Sequence, residues 1–249
     1  MVVAIVPARY ASTRFPGKPL ADIWGKSMLQ RVWEQACKSA AVGRVIVATD
    51  DPRICEHASA FGAEAVMTSP EHRSGTDRCA EVAARLSDAD IVLNIQGDEP
   101  FVKPEQIDLL VQTLVEAPTC SIATLVKPIS STEELFNPNV VKAVFSESRQ
   151  SLYFSRHPIP YVRGVAPEAW LEVAEFYKHL GLYAFRRDAL LQLAQLPTSP
   201  LEQAESLEQL RWLAHGQRIV IGITHLESVG IDTPEDLQRL LNGPRLDEP

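Results

Sequence analysis

Cysteine is scarce in this chain of 249 residues: Cys37, Cys55, Cys79 and Cys120 lie far apart and form no Cys-x-x-Cys pair. That spacing argues against a zinc or redox site and suits reduced thiols in a cytoplasmic protein. Long apolar runs are missing too. No stretch approaches the ~18 residues that would cross a bilayer. The opening "MVVAIVPARY" has no basic segment ahead of its apolar run, Val2 to Val6, so it reads as a strand and not a signal peptide. Gly-x-Gly occurs nowhere, which removes the dinucleotide-binding fingerprint. Positive charge is in deficit, with 24 Lys and Arg against 32 Asp and Glu and a net charge of -8. Broad binding to nucleic acid or an anionic membrane is therefore not expected. An anionic ligand would have to be met by a local concentration of the few basic residues.

What is present is a globular composition, 45% hydrophobic and 22% charged, long enough to bury a sizeable core. Short β-branched runs alternate with helical patterns. "VVAIV" (2–6), "RVIVAT" (44–49), "AEAVMT" (63–68), "DIVLNI" (90–95) and "CSIATLV" (120–126) read as strands. Between them, "SMLQRVWEQACKSA", a short segment after Pro52, "TDRCAEVAARL" and "PEQIDLLVQTLVE" read as helices. Continuously apolar strands separated by helices predict a mainly parallel sheet in an α/β fold, with helices on both faces. The middle third differs. "KAVF", "SLYFS" and "HLGLYAF" surround a Pro-rich connection with no helices between strands, which predicts antiparallel pairing. Beyond it, "PLEQAESLEQLRWLAHG" reads as one helix, "RIVIGIT" as a strand, and "DTPEDLQRLLNG" as a final helix capped by Asp232 or Thr233 with Pro234 in its first turn. One domain over 1–249 with an inserted subdomain at about 142–187 is expected.

Ligands of open α/β sheets sit beyond the C-terminal ends of the strands, and three motifs fall there. The first is "IVPARYASTRFPGKPL" (5–20). A Walker A loop would carry Gly at position 12 and Ser or Thr at 19, where this chain has Ser12 and Pro19. What remains is Arg9, Arg14 and Lys18 on a loop stiffened by Pro7, Pro16 and Pro19, a cationic loop suited to polyphosphate. The second is "NIQGDEPF" (94–101), where Asp98 suits a magnesium ligand beside a phosphate. The third is "HRSGTDR" (72–78), where Ser74 or Thr76 would cap a helix whose free amides face an anion or a base edge. "DAD" (88–90) precedes its strand and reads as a turn, not a metal-binding Asp-x-Asp. His57, His72, His157, His215 and His225 show no metal-ligand spacing and receive no role.

Together these motifs resemble the cytidylyltransferases that activate 3-deoxy-D-manno-octulosonate (Kdo). The resemblance continues through "FNPNVVKAV", "YFSR", "HLGLYAFR", "SPLEQAESLEQLR" and "IDTPEDL", and so covers nearly the whole chain. Asp77, Phe185 and Ile231 depart from the expected Glu, Tyr and Val. The resemblance implies a cytoplasmic homodimer with a Rossmann-like fold, dimerising through the antiparallel excursion and making CMP-Kdo from CTP and Kdo with Mg²⁺ for lipopolysaccharide synthesis. By the same resemblance Arg9, Arg14 and Lys18 would hold the triphosphate, with Pro7 and Ala8 beside them. Ser74, Gly75, Thr76 and Arg78 would seat the cytidine, and Gln96 would line the nucleotide site. Asp98 and Asp232 would hold Mg²⁺. Gln96, Arg156, His179, Tyr183, Glu208 and Gln209 would meet the sugar acid, His179 as a donor to its carboxylate. A related acid, sialate or 8-amino-Kdo, is the first alternative substrate. A GT-A-type glycosyltransferase is the second alternative.

Overall fold

The computed structural model describes residues 1–11, 15–227 and 230–245. They gather into two compact units. The first comprises Met1–Asp108, Arg186–Ala194 and the segment from Glu227 on; the second comprises Leu109–Phe185 and Gln195–Leu226. The excursion expected at 142–187 lies in the second unit as far as Phe185.

The first unit is built on β1 (Val2–Ala8), β4 (Arg44–Thr49), β5 (Glu64–Met67) and β6 (Ile91–Asn94), in the order β6-β1-β4-β5. Two short strands, β2 (Asp22–Ile23) and β3 (Lys26–Ser27), pair with each other. The pairs β1–β4, β1–β6 and β4–β5 are all parallel, Val3 lying opposite Arg44 and Val2 opposite Ile91. Val3 to Val6 are all fully buried, as an apolar run inside a parallel sheet requires. Helices α1 (Met28–Lys38), α2 (Pro52–Ala60) and α3 (Gly75–Ala84) follow strands, and α4 (Pro104–Val115) begins in this unit. Side-chain caps set the starts of α1 and α2: Ser27 accepts from Gln30 N–H and Asp51 from Arg53 N–H. The final helix, Pro234–Asn242, is capped by Thr233, whose hydroxyl accepts from Asp236 N–H while the Asp236 carboxylate accepts from Thr233 N–H. The side-chain cap thus falls to Thr233, and Asp232 contributes only its backbone N–H, which donates to the same Asp236 oxygen at 3.1 Å. Leu237 and Leu240 of this helix join Ile23, Met28, Phe101 and Ile231 in one apolar cluster. That cluster anchors the segment carrying Asp232 beside the loop that follows β1.

The second unit contains β7 (Ile122–Pro128), β8 (Lys142–Phe145), β9 (Ser151–Ser155), β10 (Tyr177–Arg186) and β11 (Ile219–Ile223). β11 runs parallel to β7, while β10 is antiparallel to β7 and β8 is antiparallel to both β9 and β10. The antiparallel pairing predicted for the middle third is present. Trp170 stacks on Phe176 at 5.9 Å and packs with Ile129 and Leu135, giving the excursion its own apolar cluster.

Two readings fail. The connection between β9 and β10, read as free of helix, holds a short one at Trp170–Val173. "PLEQAESLEQLRWLAHG" is two helices, Pro200–Glu205 and Gln209–Ala214, not one. Ser206 between them adopts φ 52°, ψ 47°, the left-handed region. Leu, Glu and Gln after it are all good helix formers, so local preference favours continuation and tertiary contacts impose the break. Arg211 bridges it, donating to both carboxylate oxygens of Glu202 at 2.8 and 2.6 Å.

Candidate functional site

A pocket of about 240 Å³ opens in the first unit where β1 and β6 end and α3 begins. Pro7, Ala8 and Arg9 form one wall, Lys18 and Pro19 another, His72 to Gly75 with Arg78 a third, and Gln96, Gly97, Asp98 and Asp232 close it. Two glycines permit this close approach. A Cβ on Gly97 would stand 2.9 Å from the Pro7 carbonyl oxygen, and one on Gly75 would stand 3.1 Å from Pro7 Cγ. The first clash is with backbone and cannot be relieved by turning a side chain. Gly97→Ala is therefore expected to destabilise the protein by about 1–3 kcal/mol, as overpacking does, read as a lower urea midpoint; an unchanged midpoint would show the approach to be looser than described.

Lys18 opens a short turn behind Gly17, whose φ of 72° is the left-handed region glycine favours. A Cβ there would meet the Tyr10 ring at 3.3 Å, and Gly17 N–H donates to Tyr10 O at 3.0 Å. Tyr10 also lies under the Arg53 guanidinium, 3.4 Å from its ring centre. The loop is thus pinned at its base. The Lys18 ammonium donates to Asp98 Oδ2 at 2.7 Å and to Ile231 O at 3.1 Å, with Asp232 Oδ1 at 3.5 Å. Two carboxylates from distant parts of the chain therefore converge on one cation. Both are hard oxygen donors, and two of them suit Mg²⁺, which keeps several waters and completes its shell with substrate phosphates. No group of three or more His, Cys, Asp or Glu that could hold a metal occurs among the described residues.

At α3, Ser74 is the cap: its hydroxyl accepts from Asp77 N–H at 3.1 Å and the Asp77 carboxylate accepts from Ser74 N–H at 3.2 Å. Asp77, one of the departures noted above, closes the capping box from its shorter side chain. Thr76 is buried and accepts from Asn94 Nδ2 at 3.4 Å instead of lining the pocket. Arg78 lines the pocket, yet its guanidinium is bonded to Thr68 Oγ1 and lies 3.3 Å from Asp50 Oδ1. Gln96 lines the pocket and donates to Asn94 Oδ1 at 3.2 Å. Arg9 is exposed on the rim, and Arg14 lies outside the described residues. His72, given no role above, lies on the wall with Nε2 2.6 Å from Glu81 Oε2. Burial pushes the Glu81 carboxyl up, but bonds from Ser69 N–H and His72 and the Arg85 charge outweigh it and hold it below its ordinary value. The signal for His72 was its place directly before "RSGTDR".

Five of the residues assigned to the sugar acid, Arg156, His179, Tyr183, Glu208 and Gln209, lie in the second unit. His179 packs edge-on to Phe154 at 5.0 Å and beside Tyr183 at 5.3 Å. Burial pushes its pKa down to about 3, so the ring is neutral at physiological pH. Its Nε2 lies 2.9 Å from Thr124 Oγ1, which also reaches Leu182 O at 2.7 Å and Leu180 O at 3.2 Å beside the β10 bulge. Carbonyls only accept, so the single hydroxyl proton goes to one of them and Nε2–H donates to Thr124. Nδ1 is then an acceptor. That suits a hydroxyl of a ligand and not its carboxylate. Tyr183 sits against Trp212 at 5.0 Å, and burial followed by the Glu208 charge pushes its hydroxyl pKa well up. Gln209 is buried.

Comparison with known proteins adds three findings. A family model described as cytidylyltransferase matches residues 3–219. The 3-deoxy-manno-octulosonate cytidylyltransferase of Parabacteroides distasonis is 53% identical over 244 residues, covering 96% of this chain and 96% of the relative. That of Geobacter metallireducens is 48% identical over 249 residues, with the same two shares. The solved structure of CMP:2-keto-3-deoxy-manno-octonic acid synthetase complexed with CTP superposes with a TM-score of 0.90 at 46% identity, covering 96% of both chains. A Leptospira borgpetersenii cytidylyltransferase at 18% identity and a TM-score of 0.61 shares the fold.

Proposed function

The chain belongs to the cytidylyltransferase family, and from that premise we propose that it transfers CMP from CTP to the anomeric hydroxyl of Kdo, releasing pyrophosphate and supplying CMP-Kdo for lipopolysaccharide synthesis. The observation that carries the reading is its 53% identity, over 96% of its length, to a protein of that name. The pocket of the first unit supplies the matching chemistry.

Both reactants are anions, so the main obstacle is electrostatic. Arg9 and Lys18 would neutralise the triphosphate and stabilise charge developing on the leaving pyrophosphate, a contribution worth about 3–4 kcal/mol per well-placed donor. The amino end of α3 reaches the same pocket at Ser74 and Gly75, and a helix amino terminus favours an anion. Asp98 and Asp232 would hold Mg²⁺, which when bound supplies charge neutralisation and alignment of the phosphates. Ser74, the hydroxyl on the α3 wall, is committed to the helix cap, so the residues favour direct attack of the sugar hydroxyl on the α-phosphorus over a covalent enzyme intermediate. Arg156, Tyr183, Glu208 and Gln209 would meet the sugar acid, with His179 accepting from one of its hydroxyls. Kdo is thereby preferred to sialate or 8-amino-Kdo on the strength of the relatives' names.

Pyrophosphate release is expected with CTP, Kdo and Mg²⁺ together, and to fall to background without Mg²⁺ or with sialate in place of Kdo. Release from sialate alone would sink the assignment. No described helix is long and apolar enough to cross a membrane. Exposed Leu152, Tyr161 and Val173 in the second unit suit a homodimer; a monomer mass by light scattering would remove it.

A further inference from the structure

We propose that Glu205 is a positioning residue for the second-unit residues that would meet the sugar acid, acting through Arg156 and through the break at Ser206. This rests on the reading that Arg156, Glu208 and Gln209 meet the sugar acid. Glu205 is the last residue of its helix, and β9 ends one residue before Arg156. The two segments clasp each other in both directions. The Glu205 carboxylate accepts from Ser155 Oγ at 2.7 Å and from Arg156 N–H at 2.9 Å. In return the Arg156 guanidinium donates from Nε to Glu205 O at 2.7 Å and from Nη2 to Ser206 O at 3.4 Å.

The clasp answers two needs at once. Sequence preference carries the helix on through Ser206, and each added residue would turn the following side chains by about 100° about the axis. A left-handed Ser206, whose carbonyl is taken up by Arg156, stops that propagation and resets the direction in which Glu208 and Gln209 leave. Arg156 in turn has five N–H groups, and three of its bonds go to backbone carbonyls, the third from Nη1 to Pro138 O at 3.1 Å. The guanidinium plane is therefore fixed, and its remaining N–H groups have a fixed aim. Pro138 belongs to a turn that the fully buried Lys142 also holds, through Asn137 O at 3.0 Å and Val140 O at 2.6 Å. "FNPNVVKAV" thereby gains a purpose: it gives the clasp a third attachment point.

The role is geometric, which separates it from charge neutralisation. A glutamine at 205 can accept from Arg156 N–H with its oxygen and donate to Ser155 Oγ with its nitrogen, preserving both links without the charge. Glu205→Ala is expected to raise KM for Kdo about tenfold, the order for loss of hydrogen bonds to a charged group, with KM for CTP within about twofold. Glu205→Gln is expected to stay within about threefold of the parent on both. Should Glu205→Ala not fold, Glu205→Asp, one methylene too short to reach both partners, is expected to show the same selective rise. Arg156→Ala serves as the control on the underlying reading. If it leaves KM for Kdo unchanged, the sugar-acid assignment fails. If it raises KM for Kdo while Glu205→Ala and Glu205→Asp do not, the positioning role fails. A Glu205→Gln variant as poor as Glu205→Ala would also overturn it, by showing that charge and not geometry matters.

Discussion

Asp98→Asn is expected to cut the rate of pyrophosphate release from CTP and Kdo by about 10²–10³-fold, the order for removing one preorganised electrostatic contributor. The substitution keeps the side chain's shape and removes its charge. Lys18 then loses its nearest partner, 2.7 Å away, and a neutral amide holds a hard divalent cation less well than a carboxylate. Binding of CTP should suffer far less, because Arg9, Lys18 and the α3 amides stay in place. Steady-state pyrophosphate release at saturating CTP, set beside CTP binding by calorimetry, separates the two. A variant that turns over normally would remove both Mg²⁺ and Asp98 from their assigned roles. Asp232→Asn should be milder, since Asp232 lies 3.5 Å from Lys18 and its side chain is 57% exposed.

Trp212→Ala is expected to lower stability by about 3–5 kcal/mol, the usual range for emptying an aromatic site in a core. Trp212 is 1% exposed and meets two rings edge-on, Tyr183 at 5.0 Å and Phe185 at 5.3 Å. The loss combines apolar burial with two favourable ring geometries, and neighbours on a strand cannot collapse far into the void. Urea unfolding at 25 °C measures it, and a change under about 1 kcal/mol, the ordinary size for a point substitution, would refute the packing described. Because Trp212 backs Tyr183, the surviving folded fraction should also bind the sugar acid more weakly.

The parallel sheet was legible because its strands are short, continuously apolar runs separated by helical patterns, and the starts of two helices because Ser74 or Thr76, and Asp232 or Thr233, stand before them. Other features were hidden for physical reasons. The split at Ser206 runs against local helix preference and depends on Arg156, 50 residues earlier in the chain. The choice of Thr233 over Asp232 as cap turns on a bond that spacing does not distinguish. Thr76 and Arg78 looked equivalent to Ser74 as nucleotide contacts, but their polar atoms are taken up inside the protein by Asn94, Thr68 and Asp50. Lys18 read only as a phosphate cation, since its meeting with Asp98 and Asp232 spans most of the chain. His72 carried no distinguishing pattern beyond its place in the motif, and its pairing with Glu81 needs one turn and two turns of helix to be in place first.

The meeting at Lys18 also has a bearing on biosynthesis. One carboxylate partner is made 80 residues after the lysine and the backbone carbonyl beside the other 213 residues after it. A ribosome-bound or proteolysed chain ending between the two lacks Asp232 and the helix that follows it. The arrangement around Lys18 is thus completed late in translation, by an element that brings both Asp232 and its anchoring cluster to the loop.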